Sequence, residues 1–193
     1  SFDDVLPIFQ RMENYEPGAD EWRRQGGPLH VSEVADQNPL YDALIAAGEE
    51  IGLPNNPDYN GADQEGVGFF QLTARNGRRC SSAVAYLNPI KSRENLTIIT
   101  HAQVEKIVIK DKSATGVEYK DRSGAVRTIN AGREIILSGG AINSPQLLML
   151  SGIGEAAQLQ EHGIAVEQDL RGVGKNMQDH LQARLVYKCN EPT

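Results

Sequence analysis

The chain has 193 residues, with 19 Lys and Arg against 26 Asp and Glu, for a formal net charge of −7. That length can bury the core of one domain or slightly more, and 39% apolar with 23% charged residues excludes wholesale disorder. The acidic balance excludes nucleic-acid backbone binding as the main task. Two cysteines, Cys80 and Cys189, make no disulfide framework and point to a reducing compartment.

Residues 3–14 read as a short helix capped by Asp3 or Asp4, with Pro7 tolerated in its first turn. A loop rich in Gly and Pro follows over 17–28 and carries the single tryptophan, Trp22. Leu40, Ala43, Leu44, Ala47 and Ile51 recur at helical spacing, which predicts an amphipathic helix over 38–52 capped by Asn38 and closed by Gly52. The turn-rich stretch 54–68 leads into a predicted strand at 67–74, and a further helix is predicted at 81–87, ending before Pro89.

From residue 96 the pattern changes to short β runs at 96–100, 104–109, 115–119, 125–130 and 134–137. Turn residues at 110–113 and 121–124 separate the middle three, and such close spacing predicts an antiparallel meander. The run Ile135-Ile136-Leu137 is wholly apolar and feeds through Ser138-Gly139-Gly140 into a predicted helix at 143–150. Strand, glycine turn and helix form half of a nucleotide-type unit. The residues alone therefore imply a mixed α/β (α+β) fold with a coarse boundary near Lys91. The uncharged stretch 135–154 is long enough for a membrane span, but Ser138, Asn143, Ser144, Gln146 and Ser151 mark it as protein interior. No signal-peptide pattern opens the chain, and the missing initiator Met predicts a segment cut from something longer.

Ser138-Gly139-Gly140-Ala141 is the first candidate for ligand contact. Glycines at a strand end let the backbone approach a ligand, and the following helix offers unpaired amides to an anion. A turn needed only for packing is the alternative. No complete G-x-G-x-x-G is present: Gly152-Ile153-Gly154 continues to Ala157 and Gly172-Val173-Gly174 to Met177, and neither follows a suitable strand. The histidines His30, His101, His162 and His180 lack metal-ligand spacing, so no metal is expected. Asp179-His180 reads either as an oriented base or as a loop-fixing pair, and the latter is favoured because neighbours on one chain rarely face each other. Cys80, after Arg78-Arg79 at a predicted helix start, reads as an activated thiol or as a small packed residue. Phe69 and Gln71 share one face of the predicted strand, with Phe70 opposite, and are candidates for a substrate wall or for core.

These residues also carry a resemblance. The run Gly140-Ala141-Ile142-Asn143-Ser144-Pro145-Gln146-Leu147-Leu148-Met149-Leu150-Ser151-Gly152-Ile153-Gly154 is similar, at every defined position, to the second signature of the glucose–methanol–choline (GMC) oxidoreductases. Phe2-Asp3-Asp4-Val5-Leu6-Pro7, Gly26-Gly27-Pro28-Leu29, Asn60-Gly61 through Gly66-Val67-Gly68, Asn95-Leu96-Thr97-Ile98 and 172–180 resemble further family features, so the likeness covers essentially the whole chain.

The resemblance implies an internal fragment of a FAD-dependent enzyme that oxidises a small-molecule alcohol by hydride transfer to the flavin, with quinone or oxygen as acceptor. It implies part of a FAD-binding domain, holding the antiparallel meander, over 92–180. Part of a substrate-binding domain covers 1–91, and a return toward that domain covers 181–193. By position, Val104 matches the residue whose backbone meets the adenine. Ser138, Gly139 and Ala141 match the turn near ribose and pyrophosphate, and Phe69 and Gln71 fall on the substrate side. No catalytic residue is expected within the chain, since the family's dinucleotide fingerprint precedes and its histidine follows these motifs; the chain alone is expected to be inactive. Residues 76–87 are similar to bacterial alcohol dehydrogenases of the family, and Cys80 is a departure that counts against choline, since choline-acting members tend to carry an aromatic residue there. The expected location is cytoplasmic, with membrane association of the complete protein left open. The alternative is a stand-alone, non-catalytic binding module whose exposed apolar surface is capped by a second copy.

Overall fold

A computed structural model describes residues 1–35 and 38–188. The chain divides into two units, one of residues 1–98 with the chain from Val186, the other spanning Ile99–Leu185. Both mix helix and sheet, which bears out the α+β fold class. Cys189 and the end of the expected return at 181–193 lie outside the described residues. Among the described residues no helix is long and apolar enough to cross a membrane.

The first unit opens with α1 (Phe2–Met12). Its cap is Ser1 rather than Asp3 or Asp4: the Ser1 hydroxyl donates to Asp4 Oδ2 at 2.9 Å, and both aspartates stand in the first turn. There their charge suits the helix dipole. Pro7 falls beyond the first turn, where its missing N–H removes one intrahelical bond. Next come β1 (Glu13–Tyr15) and β2 (Leu29–Val31), which pair in parallel with Glu13 opposite Leu29 and Tyr15 opposite Val31. Then α2 (Pro39–Glu50) follows the expected cap, with Asn38 Oδ1 accepting the Leu40 N–H at 3.0 Å.

The predicted strand at 67–74 is replaced by an extended strip. It makes single bridges, Val67 to Asn55 and Leu72 to Ser32, and ends in the short hairpin β3 (Ala74–Arg75) and β4 (Arg78–Arg79). Its turn residues Asn76 and Gly77 have φ of 51° and 69°, the backbone an Asn-Gly hairpin demands. Gly68 is required in the strip because a Cβ there would sit 2.1 Å from the Asn56 carbonyl oxygen. The helix expected at 81–87 is a π turn at Ala83–Leu87 followed by a 3-10 turn at Asn88–Ile90.

The second unit is built on the predicted meander, β5 (Gln103–Lys110), β6 (Ser113–Lys120) and β7 (Val126–Asn130), in that order and antiparallel throughout. Asp111 and Lys112, at φ 49° and 63°, make the tight turn between the first two strands. The runs at 96–100 and 134–137 are not strands. Among the described residues no segment pairs with them in a ladder. Next, α3 (Gly140–Leu150) begins three residues before the expected start. Beyond it, β8 (Ile153–Gly154) pairs in parallel with β9 (Gln168–Asp169), and α4 (Ala156–Glu161) buries Leu159 between them in sequence.

Ser151 joins helix to sheet. Its hydroxyl donates to the Leu147 carbonyl at 2.6 Å and accepts the Ile107 N–H at 2.8 Å, and both Ser151 and Ile107 are buried. Replacing Ser151 by Ala leaves a buried backbone N–H without an acceptor, and the expected cost is about 1–3 kcal/mol. Urea denaturation of the variant beside the wild type checks this, and unchanged midpoints would contradict the assignment.

The turn 121–124 is a second local device. Asp121 accepts from Ser123 N at 2.9 Å and Ala125 N at 3.1 Å, and pairs with Arg127 Nε at 3.0 Å. The Ser123 hydroxyl bond leads among these contacts, with Arg127 next, in holding the carboxyl at about 2, below its ordinary 3.8. A carboxyl depressed on folding stabilises the fold above its ordinary value, and this contribution is lost as the pH falls through about 2. A carboxyl-detected NMR titration should place the Asp121 midpoint near 2; a midpoint at the ordinary carboxylate value would refute the turn geometry.

Candidate functional site

In the second unit, a cleft of about 400 Å³ opens between the start of β5, the extended segment 135–139 and the first turns of α3. Val104, Ser138 and Gly139 line it together with Asn143 and Ser144. Ala141 stands on the first turn of α3, outside the lining. The turn owes its shape to two contacts. Ser144 Oγ accepts the Gly139 N–H at 2.9 Å, and Gly140 takes φ 85°, a conformation that glycine adopts without strain. No side chain caps the start of α3, so the first amides of the helix face outward without an intrahelical acceptor. Val104 is partly exposed, and its carbonyl accepts a 3.3 Å bond from the Gln103 amide.

The lining consists of aliphatic side chains, hydroxyls and carboxamides, and no acidic side chain belongs to it. A ligand with an anionic portion and a flat, partly apolar portion meets no repulsion there, and the helix start favours its negative charge. The residues present therefore fit the cofactor FAD.

In the first unit, a cleft of about 440 Å³ lies between α2 and the strip Gly68–Gln71. Phe69, Phe70 and Gln71 all line it, so the expected division of Phe70 to the opposite face does not hold; the strip is too irregular to alternate. The Phe69 ring meets Tyr41 of α2 edge-on, with centroids 5.9 Å apart at 83°. Glu33, Asp42 and Glu49 give the cleft an acidic rim.

Gln71 is held from behind. Its amide oxygen accepts from Arg23 Nη1 at 2.9 Å and from Asn60 Nδ2 at 3.3 Å, and its amide nitrogen donates to Tyr15 Oη at 3.0 Å and Asp58 Oδ1 at 2.9 Å. The orientation is unambiguous because Arg23 can only donate and an ionised Asp58 can only accept. Arg23 is 3% exposed. Its Nη2 donates to Glu13 Oε1 at 2.6 Å, its Nε to Glu13 Oε2 at 3.0 Å, and its Nη1 to Asp58 Oδ1 at 2.5 Å. The guanidinium carbon lies 3.8 Å from the centroid of the buried Tyr15 ring. Burial opposes the charge on Arg23, but Glu13, Asp58 and Tyr15 outweigh it and raise the pKa. Burial above all, then the Asp58 charge, raises the Tyr15 phenol.

Arg23, Glu13, Tyr15 and Asp58 were not singled out from the sequence. The Arg23-Arg24 pair in a glycine-rich loop carries no signal saying which arginine turns inward, because the partners lie up to 48 residues away. The Asn76-Gly77 dipeptide was a readable hairpin signal. Cys80 is buried, with Sγ accepting the His30 N–H at 3.4 Å, a packed thiol rather than a cleft residue. Asp179 and His180 are both fully exposed, with 3.9 Å between Oδ1 and Nδ1. Among the described residues no histidine lines either cleft, and no group of His, Cys, Asp and Glu could hold a metal ion.

The second unit thus places an antiparallel meander with a glycine turn and an uncapped helix start around a cleft free of acidic side chains. The model of the GMC oxidoreductase family matches residues 1–182, and the chain belongs to that family. It is 47% identical over 192 residues to an oxygen-dependent choline dehydrogenase of Brucella anthropi, covering 100% of this chain and 35% of the relative. Among solved structures it is similar to a pyridoxine 4-oxidase from Mesorbium loti, with TM-score 0.79, 34% identity and coverage of 88% of this chain and 33% of that one. It is also similar to a FAD-dependent oxidoreductase from Chaetomium thermophilum, with TM-score 0.86, 30% identity and coverage of 93% and 33%. The chain thus spans about a third of the length of the relatives it matches.

Proposed function

We propose that the chain is the middle portion of a FAD-dependent dehydrogenase or oxidase that converts a primary alcohol to an aldehyde. Residues 92–180 belong to the cofactor side in this reading, and 1–91 and 181–193 to the substrate side. The observation that carries it is the cleft shared by Val104, Ser138 and Gly139, positions that match the family's cofactor side. When bound, FAD would supply the hydride acceptor for oxidation of the alcohol carbon. Val104, through its backbone, would meet the adenine edge, and the turn of Ser138, Gly139 and Ala141, held by the bond from the Gly139 N–H to Ser144 Oγ, would lie beside ribose and pyrophosphate. Phe69 and Gln71 belong to a wall on the alcohol side. The base that takes the hydroxyl proton comes from outside the two clefts described.

A cationic alcohol of the choline type is the favoured substrate class. Glu33, Asp42 and Glu49 line the cleft together with Phe69 and Phe70, and carboxylates beside aromatic rings suit a quaternary ammonium group. The buried position of Cys80 removes one argument against choline, since that thiol does not face the cleft. The name of the Brucella relative supports oxygen as acceptor, with a quinone as the alternative.

The test is expression of the full-length protein, a visible flavin spectrum, and turnover of choline and neutral primary alcohols with oxygen or a quinone dye. Flavin-loaded enzyme that produces aldehyde from choline is expected; a colourless folded protein, or flavin that no alcohol reduces, would overturn the reading. The isolated chain, which lacks a G-x-G-x-x-G turn, is expected to show no tight FAD binding in a flavin fluorescence titration.

A further inference from the structure

We infer that Arg23 is a positioning residue for the substrate-side wall: through Gln71 it sets where the Gly68–Gln71 strip, and with it the Phe69 ring, stands across the cleft from α2. This rests on the reading of that cleft as the alcohol side.

Arg23 lies outside the cleft lining, so its influence is indirect. The guanidinium presents a rigid fork of donors, and the fork is spread over Glu13 of β1, Asp58 of the 54–68 loop and Gln71 of the strip. One group therefore locks three stretches that are far apart in the chain. At Gln71 both donor positions and both acceptor positions are taken inside the protein, by Tyr15, Asp58, Arg23 and Asn60. The Gln71 carboxamide has no capacity left for a substrate. Its part is to pin the strip, not to bind.

The neighbouring Phe69 and Phe70 then face the cleft from a strip that has no continuous ladder of its own, only the bridges at Val67 and Leu72. Between those bridges the Gln71 side chain supplies the main polar anchor. Asp58 Oδ1 accepts at once from Arg23, Gln71 and the Asn60 N–H, so the loop carrying Gly61 through Gly66 moves with the same hub.

The experiment uses the full-length, flavin-loaded enzyme with Arg23→Lys and, as a second variant that keeps the buried charge, Gln71→Leu. Arg23→Lys keeps one positive charge and loses the fork; Gln71→Leu keeps the Arg23–Glu13–Asp58 pairing and loses the pin. Both are expected to raise the KM for choline at least fivefold, with kcat per bound flavin within twofold and flavin content unchanged. A role confined to stability would lower Tm and leave KM unmoved, and that result overturns the inference. If wild-type enzyme oxidises no alcohol, the cleft assignment fails separately, and crystal structures of Gln71→Leu and wild type still decide the positioning. Phe69 shifted away from Tyr41 by more than 1 Å supports it, and an unmoved strip overturns it.

Discussion

Exchange of Arg23 for methionine is expected to cost about 3–5 kcal/mol of stability. Methionine fills much of the same volume, so the loss is electrostatic. The Glu13 and Asp58 side chains are only 18% and 21% exposed, and without the guanidinium two carboxylates and the Gln71 carbonyl face one another with no cation. A charged group left unpaired in a desolvated place costs far more than the intact pair contributes. The stacking of the guanidinium on Tyr15 disappears as well. Chemical denaturation followed by far-UV circular dichroism is the measurement, and a loss under about 1 kcal/mol would mean that the carboxylates re-hydrate freely.

Valine in place of Gly139 is expected to weaken FAD retention by at least about tenfold, equivalent to about 1.4 kcal/mol. The first added carbon would lie 3.2 Å from Asn143 Cβ and from Ser144 N, and 3.3 Å from Ser144 Oγ. Alanine already requires these neighbours to give slightly; the two methyl groups of valine push Ser144 off the Gly139 amide and carry the turn into the cleft. Gly139 itself sits at φ −78°, so the effect arises from crowding and not from backbone strain. The flavin-to-protein ratio after gel filtration of full-length variant and wild type gives the result directly. Equal ratios would remove the Ser138–Ala141 turn from the cofactor site.

The fold was legible where structure is local. The meander could be read because β5, β6 and β7 are joined by turns of a few residues, and Lys110-Asp111-Lys112-Ser113 and Asp121-Arg122-Ser123-Gly124 carry their own turn chemistry. The helix at 39–50 could be read because Asn38, the apolar spacing and Gly52 agree. The runs at 96–100 and 134–137 failed for the opposite reason. Alternating or apolar composition specifies extended backbone, but a strand exists only where another segment supplies its hydrogen bonds. The parallel pairs β1–β2 and β8–β9 were invisible because segments of two or three residues carry no period.

For the candidate site the division is similar. The linear pattern carried the family, through one long signature at 140–154, and it carried the glycine turn ahead of it and the residues Val104, Ser138 and Gly139 that meet in one cleft. It also marked Phe69 and Gln71 as a pair. Folding alone reveals that Phe69 lines the cleft while the Gln71 amide is spent inward, and that Arg23, not Arg24, is the buried cation joining Glu13, Asp58 and Gln71. The physical reason is range. Caps, turns and glycine conformations are set by neighbours within a few residues, whereas a buried charge is tolerated only by partners that folding brings from distant parts of the chain.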